Sequence, residues 1–122
     1  MATEKYSSKK TRLVVQKGVE YVALKKEDIA LLLTQNRLVH VIDKDEKKYI
    51  VNKKMGSLEE ELDPRIFFRI NRQAIININF IKSFRPYHRV KIIVEMSMPN
   101  SKHSLVISQE MASVFRKWIH EV

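Results

Sequence analysis

The sequence predicts a mainly β domain with two short helices. Short apolar runs recur between polar turns, from "RLVVQKGVEYVAL" near the start to "HSLVI" near the end, which is the pattern of a strand-rich fold. Only two segments carry helical periodicity, and they do not alternate with strands as parallel βα units do. The chain has 122 residues with 44% hydrophobic content, enough for one domain with its own core.

Taken in order, residues 1–11 are polar and basic, with Lys5, Lys9 and Lys10 against Glu4. They are expected to be a flexible tail or the remnant of a linker, leaving 12–122 as the folded domain. "RLVVQKGVEYVAL" predicts a hairpin turning at Lys17-Gly18. "KKEDIALLLTQ" predicts a short turn and then a buried strand, and "NRLVHVID" a strand apolar on both sides. "KDEKK" is a charged turn and "YIVN" a further strand.

"MGSLEEELD" predicts the first helix. Ser57 is the expected N-cap, Glu60 completes a capping box, and Leu58 and Leu62 face the core until Pro64 stops the helix. "RVKIIVEMSM" alternates Val90, Ile92, Val94, Met96 and Met98 on one side, followed by a turn at Pro99-Asn100-Ser101 and the strand "HSLVI". "SQEMASVFRKWIHEV" is amphipathic: Ser108 is the expected N-cap, and Met111, Val114, Phe115, Trp118 and Ile119 form its apolar stripe.

The charge narrows the function. Lys and Arg total 23 against 14 acids, for a net charge of +9. Such an excess favours a polyanionic partner. The chain has no Cys, which excludes disulfides and thiolate metal sites and points to a reducing, cytoplasmic setting. No apolar run is long enough for a transmembrane helix, and the first residues lack the apolar core of a secretory signal. Two Gly leave no phosphate-binding loop. His40, His88, His103 and His120 lack metal-ligand spacing. Glu59, Glu60 and Glu61 splay around a helix, unlike paired catalytic carboxylates, and the serines sit in no nucleophile motif. The expectation is a non-enzyme without metal or cofactor.

Three polar clusters stand apart from the core pattern: Gln35-Asn36-Arg37, Asn71-Arg72-Gln73, and Ser108-Gln109. Each occupies a predicted turn or a strand-to-helix junction. Turns are ordinarily polar, and amides often cap local backbone. Yet Arg, Asn and Gln are also the side chains that read base edges bidentately, Arg on guanine and the amides on adenine. Three such clusters in a strongly basic chain favour base reading.

The stretch "DPRIFFRINRQAIININFIKSF" resembles the signature of LytTR-type DNA-binding domains. Phe67 or Phe68, Arg69, Asn71, Arg72, Ile75, Ile76, Asn77, Phe80 and Ile81 match it in order and spacing. The similarity extends over about residues 13–120, including the "LEEEL" helix and the "LVISQEM" step. It implies an elongated, mostly antiparallel multi-sheet fold that enters successive major grooves of double-stranded DNA through loops. It further implies the C-terminal output domain of a bacterial response regulator in a two-component system, controlling transcription from paired repeats. Two copies then bind together on DNA, a monomer or weak dimer is expected off DNA, and the receiver domain lies outside this chain.

Carried onto this chain, the DNA-binding positions are Asn36, Arg37, Asn71, Arg72, Gln73, Ser108 and Gln109. Three departures bear on the sequence read: Asn71 replaces a usual His, Gln73-Ala74 replaces a small hydroxyl residue and an aromatic, and Gln109 stands where Arg is common. Asn77 is read as structural, satisfying buried backbone at a strand end. Arg69 is a candidate for a structural or phosphate-contacting role. The competing readings are a single-strand RNA platform, disfavoured because most of Phe67, Phe68, Phe80, Phe84 and Phe115 fall in core phases, and a protein-interaction or membrane-surface module, which would need a more basic helix than the last one.

Overall fold

The computed structural model describes residues 11–122; Lys5, Lys9 and Lys10 lie outside the described residues. Ten strands form two antiparallel sheets. The larger has the order β2-β1-β5-β4-β3-β7-β6, with β1 Arg12–Lys17, β2 Glu20–Lys25, β3 Ile29–Gln35, β4 Leu38–Asp43, β5 Lys48–Val51, β6 Phe67–Asn71 and β7 Ala74–Asn77. The smaller has the order β10-β9-β8, with β8 Ile81–Tyr87, β9 Lys91–Met96 and β10 His103–Ile107. The helices are α1, Met55–Glu61, and α2, Gln109–Glu121.

The larger sheet is covered on opposite faces over different parts of its width. On one face Leu13, Val15, Leu32, Val39, Val41 and Val51 pack with Met55, Leu58 and Leu62 of the α1 segment. On the other, Leu31, Ile42, Phe68, Ile70 and Ile76 pack with Ile92, Val94 and Ile107 of the smaller sheet and with Phe115 of α2. Central strand β3 feeds both cores, so its first four residues are all buried. A strand buried on both faces reads as a continuous apolar run, which is why "IALLL" shows no alternation.

Two buried polar side chains close the sheet ends. Asn77 is fully buried; its Nδ2 donates to the Ile29 carbonyl over 2.8 Å and its Oδ1 accepts from Asn79 N over 2.8 Å. The structural reading of Asn77 therefore stands. Asp43 accepts from Asp45 N, Lys47 N and the Tyr49 hydroxyl, each over 2.9 Å, and so organises the charged turn between β4 and β5.

Three expectations change. Helix α1 starts at Met55, two residues before the expected cap; Ser57 lies inside it, and Lys54 at the N-cap makes no side-chain capping bond. Met55 and Leu58 are both buried on one helical face, and that burial outweighs a cap worth about 1 kcal/mol. Val90 sits in the β8–β9 turn, 47% exposed, so the alternation starts at Ile92. Val114 is likewise 47% exposed, and Ala112 replaces it in the buried stripe. Strand β8 shows no alternation in the sequence, because from Lys82 to Tyr87 every residue is exposed at the sheet edge. Phe84 lies within it, its ring edge-on to Phe115 at 5.2 Å.

Candidate nucleic-acid interface

The β3–β4 connection is a two-residue turn, since Gln35 pairs with Leu38. Both central residues are left-handed, Asn36 at φ 52° and Arg37 at φ 65°. This is the turn whose twist suits a hairpin, and Asn-Gly is its preferred pair. Arg in place of Gly costs backbone energy, of order 1 kcal/mol. Both side chains are exposed and make no hydrogen bond among the described residues. Arg37 lines a shallow depression with Thr34, Lys53 and Lys54, so cations converge there that no sequence motif marked.

The β6–β7 turn is built differently. Asn71 pairs with Ala74 after a bulge between Arg69 and Asn71, and neither Arg72 nor Gln73 is left-handed. Side chains hold it in shape. Asn71 Oδ1 accepts from Gln73 N over 2.8 Å, and its Nδ2 donates to the Val106 carbonyl over 2.9 Å. Arg69 Nε donates to the Asn71 carbonyl over 3.3 Å, and its Nη2 to the Arg72 carbonyl over 2.9 Å. Arg69 Nη1 meets Glu59 Oε1 at 3.1 Å. Five bonds from two side chains thus fix a turn whose tip, Arg72 and Gln73, is exposed. Arg72 makes no ion pair with Glu60 or Asp63; the Arg65 guanidinium holds Asp63 instead.

The strand-to-helix step lies beside this turn. Ser108 N donates to the Ile70 carbonyl over 3.2 Å and Ser108 Oγ to the same oxygen over 3.4 Å. Ser108 is the N-cap of α2 by position, but its hydroxyl serves β6 and makes no capping bond. Gln109, the first helical residue, projects from an exposed position with no side-chain bond among the described residues.

Topology brings the three clusters to one end of the molecule. Strand β3 pairs antiparallel with β7, Leu33 opposite Ala74, and Thr34 N donates to the Gln73 carbonyl over 2.8 Å. That bond joins the first turn to the second, and the bonds of Asn71 and Ser108 join the second to the third. Asn71, Arg72, Gln73 and Ser108 line one concavity together with Arg69 and Lys91. Among the described residues no group of three metal-capable side chains forms, and no helix is long and apolar enough to cross a membrane.

The model of the LytTr DNA-binding domain family matches residues 19–120. The chain belongs to the LytTR family of DNA-binding domains. The solved LytTr DNA-binding domain of a Bacillus cereus protein named as a methyl-accepting/DNA response regulator superposes with a TM-score of 0.81 at 21% identity, over 90% of this chain and 97% of that one. At that identity the likeness speaks for the LytTR fold: mostly antiparallel strands in two sheets with two helices. No curated protein sequence matches the chain significantly.

Within this LytTR domain the seven expected positions divide by environment. Asn36, Arg37, Arg72, Gln73 and Gln109 are exposed, while Asn71 and Ser108 are half-buried and bonded to neighbouring backbone. The sequence named Arg69 without choosing between structure and phosphate contact. Its three bonds make it a holder of the turn. The convergence of Lys53, Lys54 and Lys91 on the same end carried no sequence signal, because scattered lysines are common in a chain with 23 cations.

Proposed function

We propose that this domain reads duplex DNA in a sequence-specific manner through its three clustered turns, as the transcriptional output domain of a two-component response regulator. The observation that carries this reading is the shared placement of Asn36, Arg37, Arg72, Gln73 and Gln109: five exposed side chains of base-reading type at one end, on turns braced from behind. Bracing keeps the ordering cost of binding low. Asn71 and Ser108 set the positions of their neighbours and approach DNA alongside them. The amides at Gln73 and Gln109 favour adenine, and Arg37 and Arg72 favour guanine.

The domain acts in the cytoplasm of a bacterium, without cofactor or catalysis. Two copies occupy paired repeats, and an upstream receiver domain supplies the switch. The test is selection of bound sites from a random duplex library, followed by affinity measurement across salt. Enrichment of a repeated motif, with log K falling against log salt at a slope near −5 if about six phosphates are neutralised, is expected. Uniform recovery of random sequences, or a flat salt response, would overturn the reading.

A further inference from the structure

A fourth turn lies at the end of the molecule that carries the three clusters. In the smaller sheet Tyr87 pairs with Lys91, closing the β8–β9 hairpin over His88, Arg89 and Val90. Strand β9 pairs in turn with β10, Ile92 opposite Ile107. Lys91 and Ser108 are the next residues outward on those two strands, so the hairpin turn sits beside the step into α2. Lys91 accordingly lines the concavity that Asn71, Arg72, Gln73 and Ser108 share.

The turn is built to hold its shape. Lys91 N donates to the His88 carbonyl over 3.1 Å. His88 is left-handed at φ 41°, and its ring stands edge-on to Tyr87 at 4.3 Å. Residues His88 to Lys91 are all exposed. The segment 82–91 carries Lys82, Arg85, Arg89 and Lys91 and no carboxylate. Pairing sorts these cations. Arg85 meets Glu95 of β9 at 3.7 Å, and Lys82 lies at the far end of β8, next to the Ile81–Met96 pair. Arg89 and Lys91 remain at the turn, with no ion pair or side-chain hydrogen bond among the described residues. Two carboxylates share the concavity with Lys91: Glu59, held by Arg69 at 3.1 Å, and Glu110 in the first turn of α2. Arg69, Arg72 and Lys91 outnumber them there, and Arg89 adds a further cation beside it.

This chemistry suits a phosphodiester. An ammonium is a compact charge on a flexible stem, so it meets phosphate well and carries little information about bases. The turn also lacks the amides that mark the other three. We infer that the β8–β9 turn holds the phosphate backbone of duplex DNA through Arg89 and Lys91, flanking the bases that the three clusters address. The inference rests on the DNA reading and adds to it a contact that strengthens binding to every duplex alike.

The experiment compares wild type, the double variant Arg89→Ala with Lys91→Ala, and Arg72→Ala, each on a library-selected duplex and on a random duplex across a salt series. The double variant should bind both duplexes roughly tenfold more weakly at about 0.1 M salt, and its slope of log K against log salt should be shallower by about 1–2. Its melting temperature should match wild type. Exchanging the two cations, Arg89→Lys with Lys91→Arg, should restore affinity. Arg72→Ala should instead lose affinity mainly on the selected duplex. Unchanged affinity and slope in the double variant would overturn the inference and leave the base reading intact. A loss confined to the selected duplex would also overturn it, making the turn a base reader. Equal losses of the double variant on both duplexes, with no loss of discrimination in Arg72→Ala, would uphold the backbone contact and count against the base reading. Binding of wild type to neither duplex would overturn both.

Discussion

Asn71 Nδ2 donates to the Val106 carbonyl over 2.9 Å, and through that bond the β6–β7 turn is tied to the strand that leads into α2. Arg72, the next residue, is exposed and unbonded through its side chain among the described residues. At two adjacent positions one side chain is thus bonded into the scaffold and the next is free at the surface. Asn71→Ala leaves the Val106 carbonyl without its partner and loosens the turn; a lost bond of this kind costs about 1–2 kcal/mol. Its melting temperature falls by several degrees. Arg72→Ala should keep the wild-type melting temperature and lose about 1–3 kcal/mol on specific sites. Thermal unfolding and DNA affinity on the same samples check both. A destabilised Arg72→Ala with undiminished affinity of the folded fraction would place Arg72 in the scaffold.

Arg69 bonds two carbonyls of the turn and Glu59 at once. A guanidinium spans three acceptors in one plane; an ammonium cannot. Arg69→Lys keeps the charge, so affinity for random DNA should stay near wild type while discrimination between specific and random DNA drops. Full recovery of discrimination in the Lys variant would show that charge alone matters at this position.

Arg37 holds φ at 65°, where glycine is at ease and a β-branched residue is not. Arg37→Gly relieves that strain and gives up some unfolded-state advantage, so its melting temperature should equal or exceed wild type while DNA affinity falls. Arg37→Val should lower stability by about 1–2 kcal/mol. Chemical denaturation of the pair against wild type decides it, and a clear loss of stability in Arg37→Gly would refute the strain argument.

Tyr49 is 6% exposed, and burial, reinforced by its bond to Asp43, raises its hydroxyl pKa to about 12. The unfolded side chain titrates near 10. Because the folded pKa is raised, Tyr49 contributes stability in full below the unfolded pKa, and that contribution is lost as pH rises from about 10 towards about 12. Tyr49→Phe lacks this titration and leaves Asp43 Oδ2 unpaired. It should be less stable than wild type by about 1 kcal/mol at neutral pH, with the gap narrowing above pH ~10. Denaturant melts of both proteins along that range test it; a gap constant with pH would refute it.

Glu46 bridges the sheets at a second point. From the β4–β5 turn its carboxylate accepts from Asn100 N, Ser101 N and Ser101 Oγ, and meets His103 Nε2 at 3.4 Å. The Ser101 hydroxyl bond, then the Asn100 amide bond, hold its pKa below the ordinary 4.5. A depressed carboxyl stabilises the fold above its unfolded value and ceases to as pH falls through the folded one. Glu46→Gln should therefore remove part of the acid-side loss of stability below pH ~4.5; identical acid titrations of stability for the two proteins would refute the role of this bridge.

By itself the sequence determined the local elements and the chemistry of the exposed tips. Alternation in "RVKIIVEM", the stripe of α2 and the amide-rich signature around Asn71 depend on neighbours within a few residues, where period and side-chain type are decisive. It determined the family for the same reason, since the signature is one continuous stretch. What only the tertiary structure decided depends on distant partners. The start of α1 follows the burial of Met55 and not the hydroxyl of Ser57, and β8 exists because β9 offers it a ladder, though its own side chains show no period. The meeting of Asn36, Arg72 and Gln109 at one end required the pairing of β3 with β7 and the approach of β6 to β10, contacts between residues more than thirty apart in the chain. Hydrogen bonds between strands carry no sequence pattern of their own, because every residue but proline offers the same backbone donor and acceptor.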